Sequence, residues 1–108
     1  MADLDPVVVI LSTVPADARG AALARALVDE RVVACVNLVP AVRSIYRWDG
    51  AVADDTEQLA IIKTTAGRAD AVVARLVALH PYQVPEALVV PVTGGHAPYL
   101  AWVAGAVE

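Results

Sequence analysis

The dipeptide Asp49-Gly50 stands between two long β-prone runs, one from Val33 to Arg47 and one reaching Thr64. An Asp-Gly pair in that setting marks a two-residue hairpin, because both central residues of a type I′ turn need φ > 0. The runs are longer than a domain of this size can hold. A strand from Val33 to Arg47 extends roughly 50 Å at about 3.3 Å per residue. A compact chain of this length is a sphere only about 34 Å across. The hairpin therefore has to overhang its own domain. Two devices are expected to manage it: a bulge at Pro40, which cannot donate to a strand ladder, and pairing of the ribbon tip with another subunit.

Composition sharpens that expectation. Hydrophobic residues make up 58% of the 108 residues and charged residues 19%, more apolar surface than one small core conceals. A membrane or further copies of the chain are the two outlets. Ala87 to Val107 carries no Asp, Glu, Lys or Arg and has the length of a span. Pro91, Gly94, Gly95, His96 and Pro98 interrupt it, which argues for a strand, a loop and a helix instead. The start, Met-Ala-Asp-Leu-Asp-Pro, has neither a basic region nor an apolar core of a signal peptide, so a cytoplasmic protein is expected. The single cysteine, Cys35, excludes an intrachain disulfide. A net charge of −4 opposes nucleic-acid binding, which rests on a basic face.

The remaining elements follow from pattern. Val7 to Leu11 is a continuous β-branched and aliphatic run, the mark of a central strand buried on both faces. Ser12, Thr13 and Pro15 are expected to stop it, with Pro15 in the first helical turn and Asp17 at the positive end of the dipole. Ala16 to about Arg31 reads as a helix with Leu23 and Leu27 on one face. Ala66 to about Leu79 reads as a second, with Val72, Leu76 and Leu79 inward and an end at His80-Pro81. Ala87 to Val92 reads as a strand, and Pro98 to about Ala106 as a third helix. The order βαββαβ predicts an α+β, ferredoxin-like antiparallel sheet with an added C-terminal helix and a long hairpin ribbon, in one domain spanning residues 1–108. The first strand lacks the aromatic and basic residues of an RNA-recognition sheet.

Few residues carry evident chemistry. Cys35 reads either as a soft ligand for Cu(I) or as a small buried hydrophobe. His80 reads as a ligand or proton carrier, or as a group bonding the last helical carbonyls. Asp54, Asp55 and Glu57 read as a hard-cation patch or as a solvated edge that discourages strand pairing. Glu57 and Lys63 are six residues apart and so share one strand face. With Tyr46 and Trp48 on the paired strand they are candidates to line an inter-subunit pocket for a small anion or polar ligand, or to form an ion pair beside an aromatic plug. No nucleophile elbow, phosphate-cradling glycine loop or catalytic Cys-His context is present, so no enzymatic reaction is expected.

Two series of residues then point to a family. Ala34-Cys35-Val36-Asn37, Pro40, Ser44, Tyr46, Trp48, Gly50, Glu57, Leu59 and Lys63-Thr64 form the first. His80-Pro81-Tyr82, Pro85-Glu86 and Tyr99-Leu100-Ala101-Trp102 form the second. Together they resemble the CutA family of divalent-cation tolerance proteins over Val7 to Val103. The resemblance implies a ferredoxin-like protomer in a homotrimer, a ribbon paired across subunits, and a link to tolerance of copper or another divalent cation, with no organic cofactor. It makes Cys35, His80 and Glu86 the candidate metal ligands, and Tyr46, Trp48, Glu57, Lys63 and Tyr82 the candidate pocket. Gln83 stands where the family often has an acidic residue, and His96 where it more often has a neutral polar one. The P-II regulators, trimeric small-ligand sensors on the same fold, are the alternative comparison.

Overall fold

The computed structural model describes residues 5–108; the reading of the first four residues as free of a leader lies outside them. Strand β1 (Val7–Pro15) leads into helix α1 (Ala18–Asp29). The hairpin strands β2 (Cys35–Trp48) and β3 (Ala51–Thr65) follow. A 3-10 turn (Ala66–Arg68) opens into α2 (Ala69–Leu79), and β4 (Leu88–Pro91) and α3 (Ala97–Ala106) close the chain. The sheet order is β2-β3-β1-β4, with every neighbouring pair antiparallel. This is the ferredoxin-like βαββαβ arrangement with an appended helix.

The core lies between the sheet and the first two helices. Ile10 and Val14 of β1 and Ala60 and Ile62 of β3 pack with Leu23 and Leu27 of α1 and Val72 and Leu76 of α2. Val36 and Leu38 of β2 pack against the same core, so Cys35 points to the opposite face. There the Cys35 Sγ meets the Tyr99 hydroxyl of α3 at 3.6 Å. The face is only partly covered. Val9 and Leu11 are half-buried, so β1 is not closed on both sides as its sequence suggested. Leu88 and Val90, their β4 partners in register, are exposed.

Two boundaries differ from the sequence reading for one reason. β1 runs through Ser12 and Thr13 to Pro15, and α1 begins at Ala18 rather than Ala16. Beyond Leu11 the short β4 no longer pairs with β1, while β3 still does, as far as Pro15 opposite Glu57. One edge of β1 is thus free, and a residue without an N–H fits there. Asp17, not Pro15, starts the helix: its extended backbone and a carboxylate accepting the Arg19 N–H at 3.0 Å make it the N-cap. At the far end of α2, His80 turns extended (φ −75°, ψ 136°), as the following proline requires.

The ribbon has the predicted shape. Asp49 and Gly50 both have positive φ, 51° and 77°, which makes the turn type I′. Val39 pairs with Leu59 but Val42 with Glu57, so β2 carries one extra residue at Pro40-Ala41. The molecule measures 53 × 26 × 22 Å, and the long dimension reflects the projecting arm. The bulge also sets which side chains face where. Cys35, Asn37 and Val39 lie opposite Lys63, Ile61 and Leu59 before it, and Ser44, Tyr46 and Trp48 lie opposite Asp55, Ala53 and Ala51 after it. Were the same sequence paired with no bulge, Ala41 would stand opposite Glu57, and Tyr46 and Trp48 would leave the face that carries it. Among the described residues no helix is long and apolar enough to cross a membrane.

Candidate functional site: a cleft at the base of the ribbon

Where the ribbon leaves the body of the sheet, it walls an open cleft of about 990 Å³. Pro15, Asp17 and Arg19 line it from the end of β1 and the start of α1. Tyr46, Trp48, Asp55 and Glu57 line it from the ribbon, and Tyr82, Gln83 and Glu86 from the segment after α2. Glu57 sits in the middle of this sheet end, paired with Pro15 on one side and Val42 on the other. That position leaves it 6% exposed.

His80 holds the third wall in place. Its Nδ1 accepts the Tyr82 N–H at 3.2 Å, which puts the ring proton on Nε2, and Nε2–H donates to the Thr13 carbonyl at 2.8 Å. The rings of His80 and Tyr82 also meet, with centroids 4.5 Å apart. Tyr82 is thereby pressed toward Glu57. Burial first, and then the facing Glu57 carboxylate, push the Tyr82 phenol up to about 12. The Tyr46 hydroxyl donates to Asp55, and that bond raises the Tyr46 phenol as well. Arg19 grips Asp17 through Nε and Nη2 at 3.0 and 2.9 Å. The guanidinium holds the Asp17 carboxyl below its ordinary value.

The expected pocket residues divide. Tyr46, Trp48, Glu57 and Tyr82 come together in the cleft, and Lys63 does not. Lys63 shares the strand face of Glu57, but six residues along a strand is about 20 Å; it lies level with Cys35 and Val9 instead. The acidic series also divides. Asp55 and Glu57 face the cleft, whereas Asp54 points to the other side of the ribbon and pairs with Arg43 at 2.7 Å. Alternation along β3 makes a single patch of the three impossible.

The expected metal ligands are not brought together within one chain. Cys35 is level with Val9 of β1, while His80 reaches Thr13, four residues further along the strand. Both ring nitrogens of His80 are already engaged, so its side chain serves as a strut and not as a bond to the last helical carbonyls. The backbone N–H of His80 caps Leu76. Glu86 lines the cleft with Tyr82. Among the described residues no three His, Cys, Asp or Glu side chains are grouped as a metal ion requires. His96 precedes α3 as its N-cap residue without a side-chain capping bond. Sequence reasoning missed the Asp17–Arg19 pair as part of the cleft, since only the fold brings the start of α1 to the ribbon. It also missed the contact of Tyr99 with Cys35; this bond, and then burial, raises the Tyr99 phenol.

The sheet order, the bulged ribbon and the cleft at its base define a ferredoxin-like protein built around a projecting hairpin. Residues 8–106 match the family described as CutA1 divalent ion tolerance protein. The chain belongs to that family. It is 47% identical over 94 residues to the "Divalent-cation tolerance protein CutA" of Thermus thermophilus, covering 87% of this chain and 91% of that one. Among solved structures, CutA1 from Oryza sativa superposes with a TM-score of 0.93 at 39% identity, over 97% of this chain and 96% of that one. A protein of Nostoc sp. PCC 7120 described as "PII-like protein CutA" superposes with a TM-score of 0.88 at 34% identity, over 94% and 97% of the two chains.

Proposed function

We propose that this chain acts in the cytoplasm as a non-catalytic homotrimer that confers tolerance to copper or another divalent cation by binding it at a site shared between copies. The observation that carries the reading is the uncovered sheet face. Leu88 and Val90 are 56% and 40% exposed beside the half-buried Val9 and Leu11. Ile45 and Val52 of the ribbon are 63% and 66% exposed. Apolar surface of this extent is removed from water by association. Cys35 and Tyr99 lie on the same sheet face, so close packing of three copies over it assembles donors that one chain keeps apart. Cu(I) competition against a chromophoric chelator tests this on the trimer. Wild type is expected to take copper and Cys35→Ser to lose it; equal uptake by both proteins removes Cys35 from the site.

The cleft favours a second reading, a trimeric small-ligand sensor of the P-II kind. Its walls combine aromatic rings with carboxylates, and no metal-like grouping of donors occurs among the described residues. That composition suits an organic molecule. Calorimetry with divalent cations alone, and then with nucleotides and small organic ions, separates the two readings.

A further inference from the structure

Glu57 presents an unresolved charge. It is 6% exposed, and none of the ion pairs among the described residues involves it. The Tyr82 hydroxyl donates to it, but Tyr82 and Tyr46 are neutral phenols with raised pKa values, so neither supplies a countercharge. Buried carboxylates are ordinarily matched by a cation, because an unmatched one costs several kcal/mol. The one cation on the cleft wall, Arg19, is committed through two nitrogens to Asp17.

The rest of the wall narrows the class of counter-ion. Asp17, Asp55, Glu57 and Glu86 line the cleft with Arg19, four carboxylates against one guanidinium, which disfavours an anion. The carboxylates are too dispersed for the three close donors of a bare metal ion. Tyr46 and Trp48 remain 42% and 48% exposed here, and the faces of such rings attract cations.

We infer that the cleft binds a small organic cation, an alkylammonium or alkylguanidinium, whose charged head pairs with Glu57 and whose carbon chain lies on Tyr46 and Trp48. The inference rests on the small-ligand reading of the cleft and names its ligand class. The head supplies the missing countercharge, and Asp55 and Glu86 accept further N–H bonds from it. The cleft is open to solvent, so chains of different length fit, and charge rather than shape governs selection.

The test is calorimetric titration of the intact protein with agmatine, n-butylammonium, n-butyrate and magnesium chloride in turn. Agmatine and n-butylammonium are expected to saturate at one per chain, and n-butyrate and magnesium to show no saturable heat. Glu57→Gln should weaken agmatine binding about tenfold or more, and Trp48→Leu about threefold or more. Asp54→Asn, on the other side of the ribbon, should leave it unchanged. Because the amide removes an unmatched charge, Glu57→Gln should melt no lower than the parent. A lower melting temperature would mean that Glu57 is already paired in the assembly and would overturn the inference. So would unchanged agmatine binding by Glu57→Gln, or absence of saturation up to about 10 mM of either cation. Binding of n-butyrate or a nucleotide instead would overturn the cationic class and leave a small-ligand sensor standing. Saturation by divalent metals alone would overturn both and leave the metal-binding trimer.

Discussion

The imidazole of His80 bridges the Thr13 carbonyl and the Tyr82 N–H, tying the exit of α2 to the end of β1. A histidine that sequence reasoning leaves as a ligand, a proton carrier or a helix cap has both ring nitrogens engaged within this chain.

His80→Leu removes that brace and leaves the Thr13 carbonyl without its side-chain donor in a half-buried site. The expected loss is about 1–3 kcal/mol, read as a lower urea midpoint at unchanged slope. An unchanged midpoint would show that the bridge adds nothing to the fold.

Gly20 is required by close approach. A Cβ there would stand 2.7 Å from Gln58 Oε1, 2.8 Å from the Pro15 carbonyl oxygen and 2.9 Å from Val14 Cγ2. Two of those neighbours belong to β1 and cannot swing aside. Gly20→Ala should therefore destabilise by about 1–3 kcal/mol despite the better helix propensity of alanine. Thermal melting followed by circular dichroism decides the sign.

Tyr82 makes the fold sensitive to alkali. Its phenol is raised from 10.0 to about 12 on folding, so the folded state keeps a proton that the unfolded chain releases. The corresponding stability is complete below about pH 10 and is lost as pH rises from there through about 12. Tyrosinate absorbance should show Tyr82 ionising near that upper value, and Tyr82→Phe should delete that step. A Tyr82→Phe titration identical to wild type above pH 11 would contradict the assignment.

Association through the uncovered face predicts a clean contrast between two exposed positions. Leu88→Asp places a charge where β4 and β1 offer apolar side chains to another copy, while Val28→Lys alters the outer side of α1. Leu88→Asp should raise the dissociation constant of the assembly about a hundredfold or more, and Val28→Lys should leave it unchanged. Native mass spectrometry and light scattering at micromolar concentration read both. A monomeric wild type would end the trimer proposal.

The local signals carried most of the fold. Asp49-Gly50 and Pro40 act on their own backbone, so the turn and the bulge are legible from neighbours in sequence. Pro15 was not, because it fits either a helix start or a strand edge, and only the short reach of β4 decides between them. The cleft was half legible for the same reason. Alternation puts Tyr46, Trp48 and Glu57 on one face once the bulge is counted, but it says nothing of distance along the strand, and Lys63 fell at the other end. Arg19 and the brace formed by His80 depend on which loop the sheet brings near which helix, and no spacing in the sequence records that.

The extra residue at Pro40-Ala41 works by parity. Everything distal to it is read in the opposite frame from everything proximal, so the aromatic side of the arm is chosen by a count and not by the identity of any residue. Deleting one residue there would straighten β2 without turning a side chain over: Val39 would stay opposite Leu59, Val42 opposite Glu57 and Tyr46 opposite Ala53. The bulge is thus a store of one spare residue: the hinge can give it up and lose only its local bend, while both sides of the ribbon keep their side chains.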